Sequence, residues 1–218
     1  FAWRLVLLFF IACINSTLFP GEILVLYALL GYVMIAVCRF STRTIAFIAV
    51  FLLLQPFEWI QLIYTLINNE FIVDPLFDGP YWEIVNTVQK EGSFLELCKT
   101  TIVTGNIANM GWRLLHGRVT QTAGLFMVGM LIGRSKVFLY SEENIKLWTN
   151  VFIIATFAFF PIYGLAAVLP DFISQETLLI PSTLLLKSLS NIAFTGILFA
   201  GVILVYYLTK CRGVLHQL

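Results

Sequence analysis

The stretch FLLLQPFEWIQLIY at residues 51–64 sets Gln55, Glu58 and Gln61 at i, i+3 and i+6, with Thr65 four residues further on. On a helix these residues share one face. A carboxylate in that setting can take or give up a proton, as a general base in group transfer or as the titrating group of a transporter. The two amides can orient a polar substrate, or they can hydrogen-bond neighbouring helices and hold a bundle together. For Gln55 and Gln61 the bundle-holding role carries more weight. For Glu58 the functional role does, because an ionisable group at membrane depth is a functional candidate by default. Glu58 is a candidate catalytic residue. Gln55, Gln61, Arg113 and His116 are candidate substrate-binding residues. In WRLLHGR (112–118), Arg113, His116 and Arg118 suit an anion as well as they suit simple interfacial snorkelling.

These residues matter because of the solvent around them. Of 218 residues, 60% are hydrophobic and 11% are charged. A soluble domain carries about 25% charged residues. Twenty Phe and five Trp exceed what one soluble core of this length can hold, so the surplus must face lipid. A net charge of +1 gives no reason to expect nucleic acid. The first residues, FAWR, lack an initiator Met and a signal-peptide pattern, so the chain is expected to be an internal piece of a longer protein. Its partners are then the bilayer and the flanking spans at both ends. The oligomeric state is left open.

Six apolar runs approach the length of a membrane helix: 4–19, 21–38, 45–67, 119–133, 147–169 and 188–209. A seventh, 177–186, is too short to cross and contains Pro181, which suggests a re-entrant or interfacial piece. Arg39 and Arg43, then Arg134, Lys136 and Lys146, then Lys210 and Arg212 fall in alternate loops. The positive-inside rule makes those loops cytoplasmic, with both ends inside and 68–118 outside. The expected architecture is all-α: a polytopic transmembrane helix bundle of about six spans in the cell membrane. Residues 1–218 form one partial membrane domain, and 68–118 form an extracytoplasmic interfacial segment between spans three and four.

Several smaller signals fit this frame. Pro56 removes an N–H and predicts a bend in span three. SFLE (93–96) fits a capping box that opens a helix in the outer segment. Pro20-Gly21 predicts a tight turn, with Glu22 capping the next helix. Gly129 and Gly133, and Gly196 and Ala200, have the four-residue spacing that lets helices approach closely. The four Cys and two His show no metal-ligand spacing, and there is no Walker loop, GxGxxG, HExxH or GxSxG pattern. No metal and no cofactor held by this chain is expected.

RLVLLFFIACINSTLFPGEILVLYALLGYVMIAVCRF (4–40) resembles the middle of the YeiB-like membrane proteins, domain-of-unknown-function family 418. Gly21, Glu22, Ile23, Leu24, Tyr27, Ala28 and Gly31 match that family's G-[DE]-I-L-x-x-Y-[AG]-x-x-G pattern. KEGSFLELCK (90–99) and GLFMVGMLIGR (124–134) are similar to its outer Gly-Ser-Phe segment and its Gly-rich span. Asn15 stands near the place where the family often has a His, and Glu22 stands in place of Asp; the resemblance thereby implies Glu22 as a second candidate catalytic residue and Asn15 as a further candidate substrate-binding residue. The resemblance implies an architecture like that of membrane acyltransferases acting on extracytoplasmic acceptors, with an acyl donor as co-substrate. Three functions stay open: acyl transfer, secondary transport, and a non-catalytic membrane scaffold.

Overall fold

The computed structural model describes residues 2–68 and 79–208. Residues 69–78 and 209–218, the latter with Lys210 and Arg212, lie outside the described residues. The described elements are helical: α1 (Ala2–Leu18), α2 (Leu24–Val37), α3 (Thr42–Leu53), α4 (Pro56–Ile67), α5 (Gly79–Glu91), α6 (Phe94–Thr100), a π-helical turn (Thr101–Gly105), α7 (Asn106–Leu115), α8 (Arg118–Ser135), α9 (Glu142–Phe172) and α10 (Glu176–Leu208).

By length and composition, α9 and α10 can each cross a membrane, and the bent pair α3–α4 can serve as a third span. Helices α1 and α2 are apolar but shorter. The six expected runs thus correspond to α1, α2, α3–α4, α8, α9 and α10, of which two or three reach spanning length. The apolar segment 177–186 is not re-entrant. It is the opening part of α10, which runs on through Pro181. A helix tolerates an internal proline where neighbours satisfy the freed carbonyl, and Pro181 is buried.

Three antiparallel pairs build the bundle. In the first, α1 and α2 lie so close that a Cβ on Gly31 would come within 2.5 Å of Leu5 Cδ2. In the second, α3 and α8 are held at one end by Arg134, which donates to the Cys38 and Phe40 carbonyls (2.6 and 3.2 Å) at the end of α2. Those carbonyls have no helical partner, and a cation there also suits the helix dipole. Ile45, Ala49 and Met127 form the core between these helices, with Met34 and Val37 of α2. In the third, α9 and α10 pack through Trp148, Ala200, Ile203 and Tyr207. Helix α4 rests on α10.

The small-residue expectation divides. Gly196 and Ala200 do sit in a helix contact: a Cβ on Gly196 would meet Ala155 Cβ at 3.2 Å, and Ala200 is fully buried. Gly129 and Gly133 do not, since a Cβ on either would meet nothing within 4 Å. The close approach on α8 lies at Gly124, against Leu53 and the Ala49 carbonyl of α3. The spacing of small residues allows a contact, but the register of the partner helix decides where it falls.

The capping box at Ser93 forms as expected. Glu96 N–H donates to Ser93 Oγ (3.4 Å), and Ser93 N–H donates to Glu96 Oε2 (2.9 Å). The Ser93 backbone bond, then its hydroxyl, hold the Glu96 carboxyl below its ordinary value. A carboxyl depressed by folding stabilises the fold above its unfolded pKa of about 4.3 and loses that contribution as pH falls through the lower folded value. The protection of the first amides of α6, measured against the intrinsic exchange rate at each pH, should therefore fall on acidification below about pH 4, and Glu96→Gln should abolish that loss. A valine at Gly124 tests the α3–α8 packing. It should destabilise the protein by about 1–3 kcal/mol, read as a lower thermal midpoint in detergent, while Gly129→Ala stays near neutral.

Candidate functional site

Span three breaks where its polar face begins. Helix α3 ends at Leu53, and α4 starts at Pro56 with an axis bent by 41°. Gln55 between them adopts a left-handed conformation (φ 58°, ψ 57°). Pro56 thus opens a second helix, where its missing N–H costs nothing, and does not kink a continuous one. Gln55, Glu58 and Thr65 are completely buried and Gln61 is 9% exposed, while Phe57 and Ile60 are 43% and 63% exposed. The polar face looks into the protein and the apolar face outward, as the insertion cost of polar groups requires.

What Glu58 meets there is the turn between α7 and α8. Gly117 takes φ +62°, and a Cβ added to it would overlap the Glu58 carboxylate. Thr120 Oγ1 donates its one proton to the Gly117 carbonyl (2.8 Å). Its oxygen can then only accept from Gln55, 3.0 Å away, which turns the Gln55 amide nitrogen toward the cluster. In that orientation Nε2 also lies 2.9 and 3.0 Å from the two Glu58 oxygens and 3.3 Å from the Gly117 carbonyl. Glu58 is therefore enclosed by Gln55 at the first turn of its own helix. Further along α4, Thr65 Oγ1 donates to the Gln61 carbonyl (2.9 Å), while Gln61 Oε1 is buried with no hydrogen-bond partner among the described residues.

A second buried cluster joins the start of α2 to α7. Glu22 Oε1 accepts from Leu24 N–H (2.6 Å), the capping bond expected of it. Asn109 Nδ2 donates to the Glu22 carbonyl (2.6 Å), and its Oδ1 accepts from Arg113 Nε (2.8 Å). Arg113 also donates to the Gly21 and Glu22 carbonyls (both 3.2 Å). Burial pushes the Arg113 guanidinium below its ordinary value; Tyr27 and Glu22 oppose that shift, and Arg118 adds to it. Arg113 remains cationic nonetheless. Nearby, His116 stacks on Trp112 with ring centroids 4.3 Å apart. Its Nδ1 faces the Trp112 carbonyl at 2.8 Å, so the neutral ring carries its proton on Nδ1 and presents Nε2 as an acceptor.

Arg113 borders two cavities. One, of about 420 Å³, is lined by Gly21, Trp82, Asn109 and Trp112 beside it. The other, of about 470 Å³, adds Arg118, Gln121 and Thr122 of α8 and Asn191 and Thr195 of α10. It adjoins a cavity of about 480 Å³ that shares Arg118, Asn191 and Phe194 and brings in Lys187, Ser190 and Tyr163. Arg118 donates to Gln121 Oε1 (3.0 Å), which steadies its guanidinium. Among the described residues lining these two adjoining cavities, none is a carboxylate.

The sequence-expected residues therefore separate into three places. Arg113 borders the cavities, with Glu22 bonded to it through its backbone carbonyl and His116 against Trp112, though neither lines a cavity. Glu58, Gln55 and Gln61 lie in the buried face of α4 and line none of the cavities described above. Asn15 is exposed on α1, and its buried neighbour Ser16 receives a bond from Asn106 Nδ2 (3.2 Å) instead. Lys187 and Asn191 were not singled out from the sequence. The signal was present, because Lys187, Asn191 and Thr195 recur every four residues, the spacing of one face.

Residues 132–218 match the family model described as Protein of unknown function (DUF418). That region holds α9 and α10, and so the Lys187 side of the cavities. No curated protein and no solved structure matches the chain.

The contact between Gly117 and Glu58 yields a direct test. Gly117→Ala should destabilise the protein by roughly 2 kcal/mol or more, since the left-handed turn alone costs an L-residue about 1–2 kcal/mol. Glu58→Ala in the same chain should recover part of that loss. Thermal midpoints of the two single variants and the double variant measure this coupling.

Proposed function

We propose, on the match of residues 132–218 to the family described as Protein of unknown function (DUF418), that the chain is a YeiB-like membrane protein that binds an acyl-bearing anion at the Arg113–Arg118–Lys187 cavities and passes the acyl group to an acceptor outside the membrane. The observation that carries this reading is the pair of adjoining cavities in an otherwise apolar bundle, with three cations, several amides and hydroxyls, and no lining carboxylate among the described residues. Cations placed in a low-dielectric setting hold a phosphate or carboxylate and stabilise the oxyanion formed when an acyl carbon is attacked. In the transfer, the donor's bond to the acyl carbon breaks. The acceptor hydroxyl oxygen bonds to that carbon, and its proton leaves to a base. We assign the base to His116, which lines neither cavity itself but stacks on Trp112, a residue of the Arg113 cavity, and presents Nε2 as an acceptor. Glu58, enclosed by Gln55 and Gly117, acts as a positioning residue that holds the α7–α8 turn beneath Arg118.

One observation favours transport instead: a broken span such as α3–α4 can offer the start of its second half-helix to an anionic substrate. Here Glu58 already fills the first turn of α4 with the protein's own carboxylate, which weighs against that use. The test uses sealed vesicles containing the full-length protein, a radiolabelled acyl donor and a membrane-impermeant sugar acceptor. Label should appear on the sugar. Arg118→Gln and His116→Gln should each lower that rate by about tenfold or more while the thermal midpoint is preserved. Accumulation of unmodified sugar inside the vesicles would replace acyl transfer with transport.

A further inference from the structure

A further cavity lies between α8 and the α9–α10 hairpin. Its volume is about 540 Å³, within the range of about 300–1,000 Å³ typical of ligand sites. Its walls are apolar, with Leu125, Ile132, Val151, Trp148 and Phe199 among them. It neighbours the basic cavity: Leu125 and Thr195 line both. Gly129 lies on its wall, and a Cβ there would meet nothing within 4 Å, so no helix among the described residues fills the space that this glycine leaves. Two compartments of opposite character thus meet at one boundary. The polar one carries Arg113 and Arg118, with Lys187 in its neighbour, and the apolar one extends from it alongside α8.

We propose that the apolar slot holds the acyl chain of an anionic phospholipid whose phosphate sits in the adjoining basic cavity. This rests on the anion-binding reading of that cavity and names the substrate class it takes. Charge complementarity selects the headgroup, and the wall that the two cavities share at Leu125 and Thr195 places the chain beside it. A phosphate held by arginines gains charge-assisted hydrogen bonds. The chain is removed from competition with bulk lipid because head and tail bind as one molecule, so the second contact forms at high effective concentration.

The test is photo-crosslinking of the full-length protein in phosphatidylcholine nanodiscs. A trace of phosphatidylglycerol, or of phosphatidylcholine, carries a diazirine near its chain end. Phosphatidylglycerol should label peptides covering residues 125–132 and 192–199 about tenfold more than phosphatidylcholine does, the ratio expected from a charged headgroup contact. Gly129→Phe should remove this labelling by filling the slot. Arg118→Gln should reduce it several-fold without touching the slot wall, which keeps the test decisive if the phenylalanine variant does not fold. Equal labelling by both lipids overturns the proposal and makes the slot an ordinary bilayer boundary. No labelling by either lipid also overturns it, and means that a helix from elsewhere in the full chain fills the space. Labelling that persists undiminished in Arg118→Gln overturns the anion-binding reading along with it. Inorganic phosphate separates the two failures: Arg118-dependent thermal stabilisation by phosphate, with an unlabelled slot, leaves the anion site standing and removes only the chain assignment.

Discussion

A carboxylate placed in an apolar bundle has no water to satisfy it, and the site depends on how this chain solves that problem at Glu58. The solution is local and three-sided. Gln55 supplies the donor, Gly117 supplies a surface without a side chain, and Thr120 fixes the direction of the amide. Each contribution needs an unusual backbone: a left-handed residue at Gln55, a left-handed glycine at 117, and a helix break of 41° between Leu53 and Pro56. Unfavourable backbone conformations persist where the surroundings over-determine them. A bonded carboxylate at the centre of the bundle provides that determination.

The consequences spread to both neighbours. Since Gly117 is the residue before α8, anchoring it sets where α8 begins and therefore where Arg118, Gln121 and Thr122 point. Because α4 leaves the break at an angle, it leans onto α10 instead of continuing along α8. The cavities lie where α8 and α10 diverge. The buried Arg113–Asn109–Glu22 cluster performs the same task for α7 by clamping it to the turn that opens α2. Buried polar networks of this kind specify geometry when every member is satisfied. Gln61 Oε1 belongs to neither network and has no partner among the described residues.

The exposed apolar residues show how little of the surface is prepared for water. Along α9, Ile154, Phe157 and Phe160 face outward, and Trp148 and Ala166 are its buried residues. That distribution suits a hydrocarbon surrounding and no aqueous one. It also explains why polar residues are so informative in this chain. Each one placed at depth requires a partner, so the polar positions mark the junctions of the bundle.

Much of this was legible in the sequence. Composition dictates a membrane helix bundle, because surplus apolar surface has no other solvent. The spacing of Gln55, Glu58 and Gln61 dictates one inward face, because polar groups cannot face lipid cheaply. SFLE dictates a helix start, since both bonds of its capping box are local. Other features were decided only by the tertiary structure, because they depend on which helices meet. Glycine spacing at 129 and 133 suggested a helix contact, but the register of α3 places it at Gly124. Pro181 suggested an interruption, but a buried setting lets α10 run through. Most consequentially, Arg113, Arg118, Lys187 and Asn191 lie on three helices. Arg113 with Arg118, and Lys187 with Asn191, are each close in sequence, but nothing local relates one pair to the other, and only the packing of α7, α8 and α10 gathers their charge around adjoining cavities.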